Sequence, residues 1–283
     1  MKKLVMMISV VFLVSAGSAF SFQNDKGKVA LIDLSGSITP SSSSGFSSSG
    51  ITPGEVRDLN DEAVNQGADA IIYEINSGGG AVVASKEVYR DIEDVEVPTV
   101  CRMRDVAASG GYLIALGCDK IVADSATLTG SIGVKSSYLE YSGLLDKLGV
   151  EYVQLSNGSL KELGSPYQNI SDRERAELQD KVDAIHEEFV TQVDSNRNLT
   201  ESSRNEVATS QPFLGDNAKD LGLVDELGGR DTAVNTAENM TGKELKTFRI
   251  ETQPNFSFLS LLTGDSPVGD LFRSSSVFKA EIW

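Results

Sequence analysis

A largely parallel α/β fold is predicted by three features of the sequence. Short apolar runs of β-forming residues alternate with segments whose apolar residues recur at helical spacing. A strand leads straight into the glycine turn Asn76-Ser77-Gly78-Gly79-Gly80, and small residues around Ser109-Gly110-Gly111 open a later helix. The chain of 283 residues, 40% hydrophobic and 23% charged, can bury a sizeable core in one large domain or two ordinary ones.

Taken in order, Lys2 and Lys3 precede the apolar run Leu4 to Phe20, which dilutes into small residues at Ser15 to Ala19. That is the pattern of a signal peptide or N-terminal membrane anchor over residues 1–22, with the body on the extracytoplasmic side. Lys28 to Leu34 reads as a buried strand and Ser35 to Gly50 as a Ser/Gly-rich loop. Val56 to Gln66 has helical spacing, Ala70 to Ile75 is the strand before the glycine turn, and Ala81 to Ile92 is the helix leaving it. Pro98 to Met103 is the next strand, Ala107 to Leu116 a helix begun among small residues, and Lys120 to Ala123 a short strand. Ser171 and Glu174 form a capping-box start, followed by an apolar stripe of Leu178, Val182, Ile185, Phe189 and Val193 on a long helix. His186 beside that stripe, with Glu187 and Glu188 next to it, reads as a helix-surface histidine outside the chemistry.

Several functions are excluded. Lys plus Arg number 25 against 41 Asp plus Glu, a net charge of −16, so DNA or RNA would meet a repulsive field. One histidine and two cysteines make no four-ligand zinc site, and neither a metal nor a cofactor is expected. A nucleophile elbow needs G-x-S-x-G, but Ala107 replaces the first glycine around Ser109 and Thr129 replaces it around Ser131. The spacing around Gly133 and Lys135 does not make a phosphate loop. Cys101 and Cys118 sit in apolar contexts and read as buried free thiols, although export would permit a disulfide. What remains is Ser109, whose place at a helix start also suits an ordinary cap.

Four ordered motifs then carry a resemblance: INSGGG at 75 to 80, AASGGY at 107 to 112, LTGSIGV at 128 to 134 and AKDLGLVDELG at 218 to 228. Together they resemble the signal peptide peptidase A family of serine peptidases, over roughly Lys28 to Glu238. The resemblance implies a ClpP/crotonase-like α/β fold with repeated β-β-α units and a largely parallel sheet. The peptidase domain is expected at 23–242, and 243–283, where polar stretches alternate with aromatics such as Phe256, Phe258, Phe272, Phe278 and Trp283, reads as a C-terminal extension for docking or oligomerisation or as an ordinary final strand or helix packing on the domain. The resemblance also implies a Ser-Lys dyad, which needs no histidine.

Residue by residue, Ser109 matches the family nucleophile and Lys161, 52 residues downstream, the general base. Lys135 and Lys147 are less well placed competitors. Such a lysine must be held neutral to take the serine proton, and burial in an apolar cleft is the usual means. Ser131 matches a serine that orients the lysine, and the N–H groups of Gly79 and Gly110 match the oxyanion donors. Gly78 stands where most members have proline, which implies a looser turn. The implied function is an extracytoplasmic endopeptidase acting through an acyl-enzyme on released signal peptides and other apolar or misfolded polypeptides. Implied partners are peptide or protein substrates, the membrane through the N-terminal segment, and further copies of the chain. The alternatives are a non-catalytic peptide-binding scaffold of the same fold and a crotonase-type acyl-CoA enzyme.

Overall fold

The computed structural model describes residues 26–41 and 50–250. The expected leader at 1–22 and the tail from residue 251 onward lie outside the described residues. Strands and helices alternate through β1 (Gly27–Ser35), α1 (Pro53–Asn65), β2 (Ala70–Ser77), α2 (Val82–Glu93), β3 (Thr99–Ala108), α3 (Gly110–Ala115) and β4 (Lys120–Ala123). Next come β5 (Leu128–Gly130), α4 (Ser142–Leu148), α5 (Asp172–Arg197) and α6 (Glu201–Val207). The chain then forms β6 (Pro212–Leu214), α7 (Gly215–Asp220), β7 (Glu226–Leu227), α8 (Arg230–Thr241) and β8 (Leu245–Arg249). The succession β4, β5, α4 is a β-β-α unit; before it the strands and helices alternate singly.

The sheet runs β6-β5-β3-β2-β1-β8, with β4 between β3 and β7 off this path. Every pairing is parallel except β5 with β6. Parallel strands are covered on both faces, which is why β1 and β2 are almost continuously apolar. On one face Ile71, Tyr73 and Ile75 pack with Val56 of α1, Val88 and Ile92 of α2 and Leu113 of α3. On the other, Val29, Leu31, Ile72 and Val100 pack with Ala233 and Ala237 of α8. β8 pairs with β1 along Gly27 to Leu31, so the sheet continues past residue 242.

One strand places the site. β3 pairs with β4 through Val100 to Met103 and then, along the same edge, with β5 through Val106 to Ala108. Its register against β2 shifts between Ile75 and Ser77, where β3 advances from Met103 to Ala107. Such an irregularity re-aims a strand, and here it turns the end of β3 toward Ser109. The helix expected from Ala107 therefore starts later: Ala107 and Ala108 are strand because β5 supplies their partners, and α3 begins at Gly110.

Cys101 and Cys118 are bonded to one another, which corrects the free-thiol expectation. Their Cα atoms lie 5.6 Å apart because α3 folds the chain back along β3. Closing a 17-residue separation removes about 3 kcal/mol of chain entropy from the unfolded state.

Glu74 on β2 is 1% exposed and surrounded by arginines. Arg102 donates to it at 2.6 Å, Arg230 at 2.7 and 2.9 Å, and Arg249 stands 3.6 Å away. Burial pushes the Glu74 carboxyl up, but the bonds from Arg230 and Arg102 outweigh it and hold it below the usual glutamate range. A carboxyl lowered on folding contributes stability above its unfolded value and loses it as pH falls through the folded one. Glu74→Gln should cost about 2 kcal/mol, discounted because Arg230 and Arg249 keep contact with water. Thermal unfolding checks this: the midpoint should fall by roughly 5 °C at neutral pH, and the gap to wild type should narrow as pH drops below 4.5.

α5 begins with the expected capping box, since Ser171 Oγ accepts from Glu174 N–H and the Glu174 carboxylate accepts from Ser171 N–H. Only Phe189, Val190 and Val193 of this helix are fully buried, so its first half meets solvent. Between β5 and α5, α4 is the one helix, and Leu139, Leu148, Val153 and Leu155 there are 66% exposed or more.

Candidate active site

Ser109 stands alone between β3 and α3 with φ 53° and ψ −123°. A serine reaches that region only when its surroundings impose it, at a cost of about 1–3 kcal/mol. The constraints are visible: its N–H donates to Gly130 O at 2.8 Å, and its carbonyl accepts from Tyr112 N–H and Leu113 N–H at 2.9 and 3.0 Å. The strand-to-helix turn is thus a strained elbow of the kind that can present a nucleophile, although the sequence lacks G-x-S-x-G. Gly111 supplies the needed closeness on the helix side, where a Cβ would lie 2.3 Å from Ser77 O. On the strand side the fully buried Ala107 is small enough.

The glycine turn after β2 packs directly against this elbow. Gly79 has φ +95°, and a Cβ on it would lie 2.6 Å from Gly110 N; a Cβ on Gly110 would lie 2.5 Å from Ser85 Oγ. Only glycine allows both approaches. The Gly79 N–H donates to Ser77 Oγ at 3.1 Å and its carbonyl accepts from Ile38 N–H at 3.1 Å. Gly80 makes a parallel bridge with Ile38, whose carbonyl accepts from Ala81 N–H at 2.9 Å. Parallel pairing of this kind turns the Gly80 N–H away from Ile38, and a Cβ on Gly110 would lie 3.3 Å from Gly80 N. Gly80 and Gly110 line the cavity with Ser109, whereas Gly79 is buried and does not line it. A side chain at Gly78 would meet open space, so Ser77 and Ile38, not residue 78, hold the turn.

The cavity at Ser109 has a volume of about 80 Å³. Val82 of α2, Leu113 of α3, Val134, and Ile185 and Phe189 of α5 make it apolar, and Lys86 and Glu188 form an ion pair at its side. Ser131, at φ 49°, donates its N–H to Gln211 O at 3.0 Å. Two residues on, Gly133 O accepts from Ser109 Oγ at 3.5 Å, a long bond at the edge of hydrogen-bond distance.

Lys161 is elsewhere. It lies exposed in the turns between α4 and α5, its N–H donating to Gly158 O, and it does not line the cavity. Lys135 and Lys147 are exposed as well. The lysine at the cavity is Lys86, and its ammonium is engaged by Glu188. One chain thus gathers Ser109, Gly110 and the loop that carries Ser131, and it does not bring Lys161 to them. Sequence reasoning missed Gly80 and Ser77; the signal was a polar residue directly before three glycines at a strand end. The last motif is explained by packing. Asp225 accepts from Ile121 N–H at 2.8 Å and from Arg197 at 2.9 Å, and Tyr112 Oη donates to Leu223 O at 2.9 Å, which ties residues 218–228 to α3 and β4.

The model of peptidase family S49 matches residues 92–245, a span that includes Ser109, Ser131 and Lys161. The chain belongs to peptidase family S49. This is the signal peptide peptidase A family of serine peptidases that the four motifs resemble. A Synechocystis protein described as a protease is 32% identical over 76% of this chain and 79% of its own length. An Enterococcus faecium protein assigned as signal peptide peptidase SppA is 37% identical over 59% of this chain. That match spans about half of the relative, 49% of its length. Protease 4 of Haemophilus influenzae is 30% identical over 87% of this chain and 41% of its own. Among solved structures, the 1510-N membrane-bound stomatin-specific protease, as a lysine-to-alanine mutant with a substrate peptide, aligns at TM-score 0.53 and 15% identity. The alignment covers 84% of this chain and 99% of that one, so the S49 chain shares its α/β fold. The S49 match begins after the glycine turn at 78–80, which the fold brings to Ser109 from outside the matched span.

Proposed function

We propose that the protein is an extracytoplasmic serine endopeptidase that cleaves released signal peptides and other apolar or misfolded polypeptides through an acyl-enzyme on Ser109. The observation that carries this reading is the strained elbow at Ser109, set over an apolar cavity that Gly80 and Gly110 also line. Ser109 Oγ attacks the scissile carbonyl while its proton passes to the Lys161 amine. The carbonyl oxygen becomes an oxyanion, held by the N–H of Gly110 and by one from the first glycine turn. The Gly79 N–H is occupied by Ser77 Oγ, and the Gly80 N–H has the better direction for that second bond. The protonated lysine returns its proton to the leaving amine, the C–N bond breaks, and water then releases the acyl group by the same route.

Lys161 reaches Ser109 in this reading from a second copy of the chain, with Ser131 orienting its amine. The exposed apolar residues at 139–155 around the Lys161 segment supply the contact surface, and burial there would keep the amine neutral. The Cys101–Cys118 bond suits an oxidising compartment outside the cytoplasm. Residues 1–22 direct export and membrane association. No helix among the described residues is long and apolar enough to cross a membrane.

A fluorophosphonate probe tests the reading. Ser109 should carry the label in the assembled protein, and labelling should be blocked by an extended apolar peptide substrate. A protein that binds the peptide but neither labels nor cleaves it is instead a peptide-binding scaffold.

A further inference from the structure

His186 of α5 is the one histidine of the chain. Its neighbours Ile185 and Glu188 line the cavity at Ser109, and its Nε2 lies 3.2 Å from Ser210 Oγ. The same hydroxyl lies 2.9 Å from Ile132 O. A serine hydroxyl has one proton, and a carbonyl oxygen can only accept. Ser210 therefore donates to Ile132 O and accepts from the Nε2–H of His186. Two hydrogen bonds in series run from the helix that walls the cavity to the loop that faces the nucleophile.

That loop holds Ser109 twice. Gly130 O accepts the Ser109 N–H and Gly133 O accepts the Ser109 hydroxyl. Ser210 is pressed against it: a Cβ on Gly133 would lie 2.6 Å from Ser210 Oγ, and Ser210 takes φ 62° to make the fit. Non-glycine residues in that region persist when the surroundings over-determine them. The neighbouring Ser131 N–H to Gln211 O bond fastens the same two segments.

We propose that His186 is a positioning residue for the peptidase reaction, acting through Ser210 to seat residues 130–133 against Ser109. The inference rests on the peptidase reading above. Both neutral imidazole with its proton on Nε2 and imidazolium present an Nε2–H, so the tie does not depend on the charge of the ring. A positioning role therefore changes the rate without adding an ionisation to it, which separates it from a general base.

The tag-free full chain is tested with a fluorogenic apolar peptide. His186→Ala should lower kcat about five- to tenfold with KM within about twofold, the scale of one lost hydrogen bond. Its pH–rate profile should keep the wild-type limbs, and His186→Gln, whose amide N–H can replace Nε2–H, should recover most of the rate. Ser210→Gly, which removes the hydroxyl and suits the left-handed backbone, should match His186→Ala in rate and in slowed fluorophosphonate labelling of Ser109. The imidazole 15N spectrum reads His186 alone and should show the neutral ring protonated on Nε2. An unchanged kcat in His186→Ala, a proton on Nδ1, or a lost pH limb that His186→Gln fails to restore would overturn the proposal. If the unmodified protein neither cleaves nor labels, the peptidase reading itself falls and takes this role with it.

Discussion

Ser109→Ala leaves a folded protein with peptide hydrolysis reduced at least about 10³-fold, the scale seen when a nucleophile is removed and only binding and oxyanion donors remain. The fold should survive for a local reason. Alanine keeps the Cβ and inherits the same φ of 53°, while the lost Oγ made only the 3.5 Å bond to Gly133 O. The backbone bonds that define the elbow, from Ser109 N–H to Gly130 O and to the Ser109 carbonyl, do not involve the side chain. A thermal midpoint within a few degrees of wild type, together with absent turnover, is the expected pair of results. Turnover retained in Ser109→Ala would place the nucleophile elsewhere and end the dyad mechanism.

Lys161→Ala should be as inactive as Ser109→Ala, and a mixture of the two variants should regain activity. Each inactive protein retains one half of the dyad, so co-assembly would create sites with Ser109 from one copy and Lys161 from another. Lys161 is exposed, so its removal should leave stability unchanged. The expected signal is recovered peptide cleavage on mixing, falling with dilution as the assembly dissociates. Variants that co-assemble without recovering activity would mean that the segment carrying Lys161 folds over its own chain's Ser109 instead. A fully active Lys161→Ala would remove the lysine from the mechanism.

Ser109 was singled out in the sequence by the resemblance that four ordered motifs carry, since one histidine and no G-x-S-x-G left it on its own residues no more than a serine at a helix start. Ser109 and Gly110 lie together as expected. Gly79, expected among the oxyanion donors, gives its N–H to Ser77 Oγ, and it is Gly80 that lines the cavity. Which of two successive N–H groups faces the cavity depends on Ile38, forty residues earlier in a separate segment, and on the hydroxyl of Ser77. His186 was set aside on the charge of its sequence neighbours. On the helix those neighbours face differently: Glu187 pairs with Arg204 of α6, while His186 meets Ser210.

By itself the sequence determined the alternation of strands and helices, the parallel sheet and the capping box of α5. Each rests on local patterning, on periodicity, turn chemistry and short motifs, that neighbouring residues carry in full. The tertiary structure alone decided that Ala107 and Ala108 are strand, that Cys101 meets Cys118, that Glu74 is neutralised by three arginines, and that Gly80 faces the cavity. Every one of these depends on a partner brought from another part of the chain, and a backbone hydrogen bond or an ion pair is settled by who arrives opposite, which no local pattern records.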